Sequence, residues 1–248
     1  MIKLEHVVLA SPEQMEFIIE GMRNPMNSWE KSDSLAGHEY MGSGNEYFKL
    51  GNNDHSLMQQ LSEAGTDHRK YMRMMPVYAR ITAPLYWWKE FDTYKVGTVS
   101  NSCSTMHKIG DKEFTLEDFS IENLDGLIGN VGINYIIDCL NFYRSCYVKS
   151  KSKGDWWQMI QLLPSSYNQT RNIMMNYEVL ANIYKSRKNH KLNEWLEFCK
   201  WIESLPYSDL IIGFKEYDTV EYDKAHPEFV DKMNKIVTDG REGDYDSK

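Results

Sequence analysis

The residues best suited to chemistry lie close together, between positions 83 and 107. An aromatic run, Leu85–Phe91, leads into Thr93-Tyr94-Lys95, and a polar segment of small residues follows at 98–105. A tyrosine ring can stack on a planar ligand, and a lysine can hold a phosphate as a point charge. Cys103 adds a thiol, which is a good nucleophile only if a nearby cation lowers its pKa. Binding loops often follow rigid elements in this way, so we expect a site here. The alternative is a core helix followed by an ordinary turn.

The composition indicates what kind of protein this is and which partners are not expected. The chain has 248 residues, 42% of them hydrophobic and 26% charged, which is typical of a globular domain with a substantial core. A formal net charge of −8 disfavours nucleic acid as a partner, because phosphates require a basic surface. The four cysteines form no CxxC pair, so a metal site is not expected. Without a leader peptide or an apolar run near 18 residues, we expect a cytoplasmic protein with no membrane partner.

The surrounding pattern predicts one α/β domain over residues 1–207, followed by a polar acidic tail over 208–248. Ser11-Pro12 is a typical helix start, and Gly42-Ser43-Gly44 is interpreted as a turn rather than a dinucleotide loop, because a third glycine is missing. The other predicted elements are a strand at 2–10, a helix at 13–22, an irregular excursion at 23–53, a strand at 74–81, a long core helix at 133–147 and one or two helices at 178–201.

The stretch from Ala83 also resembles the signature of the flavin-dependent thymidylate synthases, the ThyX family, which reads A-P-(apolar run)-R-Q-W-x-R-H-R-x-x-S-x-N-E-x-S-x-R. Here Ala83-Pro84 aligns with A-P, Lys89-Glu90-Phe91 with R-Q-W, and Thr93-Tyr94-Lys95 with R-H-R. After Thr98 two registers remain open. Without a gap, the Glu, the second Ser and the final Arg align with Asn101, Cys103 and Thr105. With a one-residue insertion, N-E, Ser and Arg align with Asn101-Ser102, Ser104 and Met106.

Two more blocks match the family in the same order. Upstream, His68 aligns with the first His of G-H-x-(T/S)-P-F-E-H, whose E-H pair is Arg73-Met74 in this chain. Downstream, the chain resembles L-P … N-x-R-x-L-x-N-F-x-x-x-R, with the matches Leu163-Pro164, Asn176, Asn182 and Arg187. His190 falls one position short of the family's following His.

The resemblance implies a single ThyX-like domain in which a mixed or antiparallel sheet is flanked by helices. It also implies FAD as the cofactor and a homotetramer whose sites are each built from several subunits. The family's reaction converts dUMP to dTMP: NADPH reduces FAD, and methylenetetrahydrofolate supplies the one-carbon group to C5 of the uracil.

The resemblance also assigns roles to residues. Arg187 is the catalytic candidate, because the family's arginine polarises the pyrimidine by favouring its ionised N3–C4 amide, and a guanidinium stays charged and offers a planar donor fork. The substrate-binding candidates are Glu90, Thr93, Asn101, Ser102, Cys103, Ser104, Thr105 and Arg187. The cofactor-binding candidates are His68, Lys70, Thr93, Tyr94, Lys95, Val96, Asn176, Glu178, Asn182 and His190.

Several family arginines are replaced. The two that grip the substrate phosphate are Thr105 (or Met106) and Ile160 in this chain, and Thr93 and Glu178 replace two others. Losing two charge-assisted hydrogen bonds costs roughly 3–6 kcal/mol, or about two to four decades in affinity. The nearest replacement cations are His107, Lys108 and Arg171. Three functions therefore stay open: a working thymidylate synthase, a ThyX-fold enzyme acting on another pyrimidine, and a non-catalytic homologue that binds a nucleotide, a flavin or a protein partner.

Overall fold

In the described residues, the strands form one four-stranded antiparallel sheet and one antiparallel pair. The computed structural model describes residues 2–38 and 46–213, and Met1–Ile212 pack as one unit. The strands are β1 (Lys3–Leu9), β2 (Leu35–His38), β3 (Glu46–Lys49), β4 (Pro76–Pro84), β5 (Val99–Ser102) and β6 (Asn168–Asn176). The main sheet has the order β1-β4-β6-β5 with every pair antiparallel, while β2 and β3 pair only with each other. The predicted α/β class with an antiparallel sheet is confirmed.

Helices cover the sheet and extend beyond it. They are α1 (Pro12–Arg23), α2 (Asn52–Glu63), α3 (Tyr71–Met74), α4 (Leu85–Phe91), α5 (Gly126–Ser150), α6 (Lys153–Leu162), α7 (Tyr177–Arg187), α8 (Asn193–Glu203) and α9 (Asp209–Ile212). Ser11 and Gln14 form a capping box at α1, so each side chain satisfies a backbone N–H of the other residue. The helix start predicted at Ser11-Pro12 is therefore confirmed.

The two central strands determine where the candidate site forms. β4 and β6 pair along their full lengths, from Pro76 opposite Asn176 to Pro84 opposite Asn168. Helix α4 begins where β4 ends and α7 begins where β6 ends, so the two helices start at opposite ends of the strand pair. Strands of this length span about 30 Å, and the two helices span about 10 and 16 Å. The C-terminal ends of the two helices lie close together, because Arg187 of α7 donates to Glu90 of α4.

Two hydrophobic cores support this frame. Beside the sheet, Trp87 and Phe91 of α4 are buried against Trp195 and Phe198 of α8, and the Trp87 and Trp195 ring centroids are 4.7 Å apart. A second cluster joins α5 and α6 to the segment before them. Its buried members are Ile109, Phe114, Phe119, Ile133, Ile137, Leu140 and Met159.

The segment at 98–105 and the long core helix differ from their predictions. The segment 98–105 is not all loop, because Val99–Ser102 forms the edge strand β5, whose four residues are all exposed and show no alternation. The predicted core helix at 133–147 is longer, and most of it is exposed; only Ile133, Ile137 and Leu140 are buried. In the described part of the chain, no helix is both long and apolar enough to cross a membrane.

The described part of the excursion at 23–53, residues 23–38 and 46–53, is more ordered than predicted. Arg23 is buried and donates from Nε to Oδ1 of buried Asp54 at 2.5 Å, while Ser32 and Ser34 donate to Oδ2. Burial alone would raise the pKa of Asp54, but these hydrogen bonds hold it below its usual value. The pair fixes both ends of the excursion, which includes β2 and β3. The Gly42-Ser43-Gly44 turn lies outside the described residues.

The packed unit extends past Tyr207. Leu210 and Ile211 of α9 are buried, and Asp209 accepts hydrogen bonds from Gln59 and from His55 at 2.9 and 2.7 Å. Residues 214–248 lie outside the described part, so the acidic tail stays a prediction.

Candidate functional site

Arg187 at the end of α7 is the centre of the candidate site. It donates from Nη1 to Oε2 of Glu90 at 2.8 Å and from Nε to the hydroxyl of Tyr94 at 2.9 Å. Its guanidinium also lies over the Trp195 ring, 4.7 Å from the centroid. The arginine predicted from the second half of the chain and the Tyr94-Lys95 corner therefore meet within one subunit.

Glu90 contacts three other residues of this cluster. Its Oε2 accepts from Arg187 and, at 2.8 Å, from the indole N–H of Trp195, and Nε2 of His190 lies 3.5 Å away. The side chains of Arg187 and Glu90 are 19% and 33% exposed, so a ligand can still reach both. Within the described residues, Nη2 of Arg187 and Oε1 of Glu90 make no hydrogen bond. Arg187 and Glu90 thus present a hydrogen-bond donor beside a hydrogen-bond acceptor. Their opposite charges largely cancel.

The loop after α4 approaches the N-terminal end of α7. Thr93 donates its hydroxyl to the Glu90 carbonyl, whereas Lys95 and Val96 point to solvent, Val96 being 91% exposed. At Gly97 φ is +76°, and a Cβ there would lie 2.9 Å from the Asn176 side chain. This close approach requires glycine. Asn176 itself caps α7 by accepting from the Val179 N–H, so it has a structural partner in addition to its predicted cofactor role.

The remaining cofactor candidates form a second group on the far side of α7. Glu178 accepts hydrogen bonds from Arg69 and Arg73, and Asn182 accepts from Arg69 at 2.9 Å. From Glu178 to Arg187 the helix turns by about 900°, which is two and a half turns and places them on opposite sides. His68 and Lys70 belong to the same segment as Arg69, and Lys70 is exposed. Within this chain, the predicted cofactor residues are therefore divided between two faces of α7.

The substrate candidates after Thr98 lie along the edge strand. Asn101 and Ser102 pair with Asn172 and Arg171 of β6, and the Cys103 N–H donates to the Thr170 carbonyl. Ser104 closes a turn by accepting from two following N–H groups, and Thr105 is half-buried beyond it. The contacts of Cys103 and those of Arg187 have no residue in common, so no observed contact supports activation of the thiol by that guanidinium.

The candidate phosphate cations differ in their surroundings. Arg171 is 14% exposed, donates from Nη1 to Asp92 at 2.7 Å and lies over the Trp88 ring at 4.2 Å. Lys108 pairs with Asp111 on the surface, and His107 is exposed. Ile160 packs against the second hydrophobic cluster, so its side chain serves that core. Arg171 is the best-positioned cation near β5.

Sequence reasoning missed three contributors to these clusters. Trp195 donates to Glu90, Asp92 anchors Arg171, and Arg69 reaches Glu178 and Asn182. A signal existed for Arg69, because Arg69 and Arg73 have the i, i+4 spacing that places two side chains on one side of a helical turn. Trp195 and Asp92 carried no signal, since their partners are remote in sequence.

Comparison with solved structures places this geometry in a known fold. ThyX from Helicobacter pylori, in complex with FAD and dUMP, matches with a TM-score of 0.58 and 15% identity over 85% of this chain and 96% of its own. The chain has the ThyX fold. A second ThyX structure from that organism, also with FAD and dUMP, gives 0.57 and 14% over 86% and 96% of the two chains. The UMP/dUMP methylase PolB from Streptomyces cacaoi, bound with 5-Br dUMP, gives 0.56 and 11% over the same shares.

The likeness is one of structure. No family model and no curated protein matches the sequence. The ThyX resemblance of the three sequence blocks is thus confirmed at the level of fold, and the roles of individual residues stay predictions.

Proposed function

We propose that this chain is a ThyX-like, FAD-dependent enzyme that methylates a pyrimidine nucleotide, with dUMP as substrate, methylenetetrahydrofolate as one-carbon donor and NADPH as reductant. The observation that carries the proposal is the contact of Arg187 with Tyr94 and Glu90 in a ThyX fold. Similar structures contain FAD and dUMP, or are named as a dUMP methylase.

The donor set suits an anionic flavin dinucleotide. Lys95 and Val96 are exposed beside Tyr94, and on the other side of α7 lie His68, Arg69 and Lys70. Aromatic and cationic side chains of this kind suit the ring and the phosphates of FAD. The bound flavin would supply hydride chemistry.

Arg187 would act on the pyrimidine. Its free Nη2 can donate to the carbonyl oxygen at C4, and a guanidinium fixed there stabilises negative charge that develops on the ring. Tyr94, Glu90 and Trp195 hold the guanidinium in place, so no rearrangement is needed when the base arrives. Arg171 is our candidate for the substrate phosphate, because it lies beside the edge strand that carries the other substrate candidates.

The test is release of tritium from C5 of labelled dUMP by purified protein supplied with FAD, NADPH and methylenetetrahydrofolate. We expect release that depends on all three and on Arg187. Yellow, flavin-loaded protein that releases no tritium would reject the thymidylate synthase proposal. Protein that binds no flavin would leave only the non-catalytic homologue.

A second candidate is an enzyme of the same fold that acts on another pyrimidine. The pairing of Arg187 with Glu90 favours it, because a carboxylate reduces the charge available to an ionised uracil amide. A neutral base edge with an acceptor beside a donor, such as N3 and the amino group of cytosine, would match the pair. Tighter binding of dCMP than of dUMP would support this candidate.

We also propose a homotetramer. A second subunit would allow residues on opposite sides of α7 to serve one composite site. Ile128, Val131, Tyr135 and Phe142 of α5 are 57–89% exposed and form one stripe at helical spacing, which fits burial against another copy. Light scattering should give a tetramer, and mixing the inactive variants Arg187→Ala and Asn182→Ala should restore activity. A monomer, or no complementation, would contradict composite sites.

A further inference from the structure

Arg69, in the segment before α3, and Arg73, within α3, are oriented by acceptors on α7. Arg69 donates from Nη2 to Oδ1 of Asn182 at 2.9 Å and from Nε to Glu178 at 3.4 Å. Arg73 pairs with the other oxygen of Glu178 and donates from Nη2 to the Thr66 carbonyl at 3.0 Å. Both guanidiniums are thus held side by side on one surface.

The two guanidiniums share Glu178, which in the described residues is the carboxylate that accepts hydrogen bonds from both. In the described residues, the Nη1 groups of both arginines make no hydrogen bond, and Arg73 is 45% exposed. A guanidinium has five N–H donors in a planar fork, so donors remain on each arginine for a ligand.

The ligand chemistry that matches is a phosphate or diphosphate. Guanidinium groups bind phosphate oxygens in pairs, and two adjacent ones suit a group with two anionic centres. The neighbours His68, Lys70, Glu178 and Asn182 are the cofactor candidates on this side of α7. We propose that Arg69 and Arg73 bind the diphosphate of the flavin dinucleotide, an inference that rests on the proposed function.

Flavins that differ in phosphate content test this site. The full-length protein, stripped of flavin, is titrated with FAD, FMN and riboflavin while flavin fluorescence is followed. Each of Arg69→Gln and Arg73→Gln should weaken FAD binding about tenfold or more, because each removes charge-assisted hydrogen bonds. Riboflavin carries no phosphate, so its affinity should not change. The matched control is Lys200→Gln, on the exposed side of α8, which should leave all three affinities unaltered.

A purely structural network predicts a different pattern. If the arginines only anchor their segments to α7, Arg69→Gln and Arg73→Gln should weaken riboflavin binding as much as FAD binding. Arg73→Lys, which keeps the charge at an exposed position, should retain most of the FAD affinity and guards against a misfolded Gln variant.

The outcomes separate the two proposals. Equal weakening of FAD and riboflavin by the arginine variants overturns the diphosphate site but not the flavin enzyme. Wild-type protein that binds none of the three flavins overturns both.

Discussion

Replacing Glu90 by Gln should make the protein less stable and its nucleotide affinity higher. The substitution keeps an oxygen that can accept from Arg187 and Trp195 but removes the negative charge 2.8 Å from the guanidinium. The ion pair contributes to folding, and the same charge repels an anionic or ionising ligand. One substitution therefore has two effects of opposite sign.

The size of the effect follows from the geometry. At a separation near 4 Å and an effective dielectric of about 20, two unit charges interact by roughly 4 kcal/mol. A third of the Glu90 side chain is exposed, so screening reduces this to about 1–2 kcal/mol. We expect dUMP to bind about five- to thirtyfold more tightly to the variant. The free energy of unfolding should fall by about 1 kcal/mol.

The assay is calorimetric titration of dUMP and dCMP into flavin-loaded protein, with urea unfolding of the same samples. Glu197→Gln is the matched control, because Glu197 is an exposed carboxylate on α8 outside the cluster. It should change neither quantity. Weaker binding of dUMP to Glu90→Gln would refute the reasoning, since it would mean that the carboxylate itself holds the nucleotide. Loss of dCMP binding alone would favour the cytosine candidate.

Three further substitutions test the contacts that support the candidate site and the excursion. Tyr94→Phe should lower stability by about 1 kcal/mol and reduce kcat, because Arg187 loses the acceptor of its Nε while the ring remains. Gly97→Ala should cost about 1–3 kcal/mol in urea unfolding, because φ is +76° and the space behind it is filled. Asp54→Asn should cost about 3–5 kcal/mol by leaving Arg23 buried without its counter-charge. Since the pKa of Asp54 is lowered in the folded state, wild-type stability should fall as pH drops below 3.8, and the variant should lose part of that dependence.

For each of these three substitutions, one result would contradict the prediction. Unchanged kinetics in Tyr94→Phe would show that the hydroxyl does not orient the arginine. A Gly97→Ala protein as stable as wild type would contradict the tight packing behind the loop. Equal acid sensitivity of Asp54→Asn and wild type would place the titrating group elsewhere.

Local patterns predicted much of the fold. The helix start at Ser11-Pro12, the strand predicted at 74–81 and the one or two helices predicted at 178–201 carry short-range signals, and the structure has α1, β4, α7 and α8 at these places. Strand β5 carried no such sequence signal, because an edge strand with four exposed residues lacks alternation of polar and apolar residues. The order of the excursion was also hidden, since it depends on Arg23 and Asp54, which are far apart in sequence.

The candidate site was only partly predictable. Arg187 and Tyr94 were selected by resemblance, and their contact depends on α4 and α7 meeting at their ends, which needs the register of β4 with β6. Sequence alone did not indicate that Glu90 would neutralise Arg187, because the two are 97 positions apart. The division of the cofactor residues between two sides of α7 likewise appears only in three dimensions.

Arg187 is central to this account, and rescue of a thymidine-requiring cell tests its role most directly. The wild-type gene should restore growth without thymidine, and Arg187→Ala should not, although the purified variant should still fold and bind FAD. Equal rescue by the two would contradict the claim that this guanidinium acts on the pyrimidine.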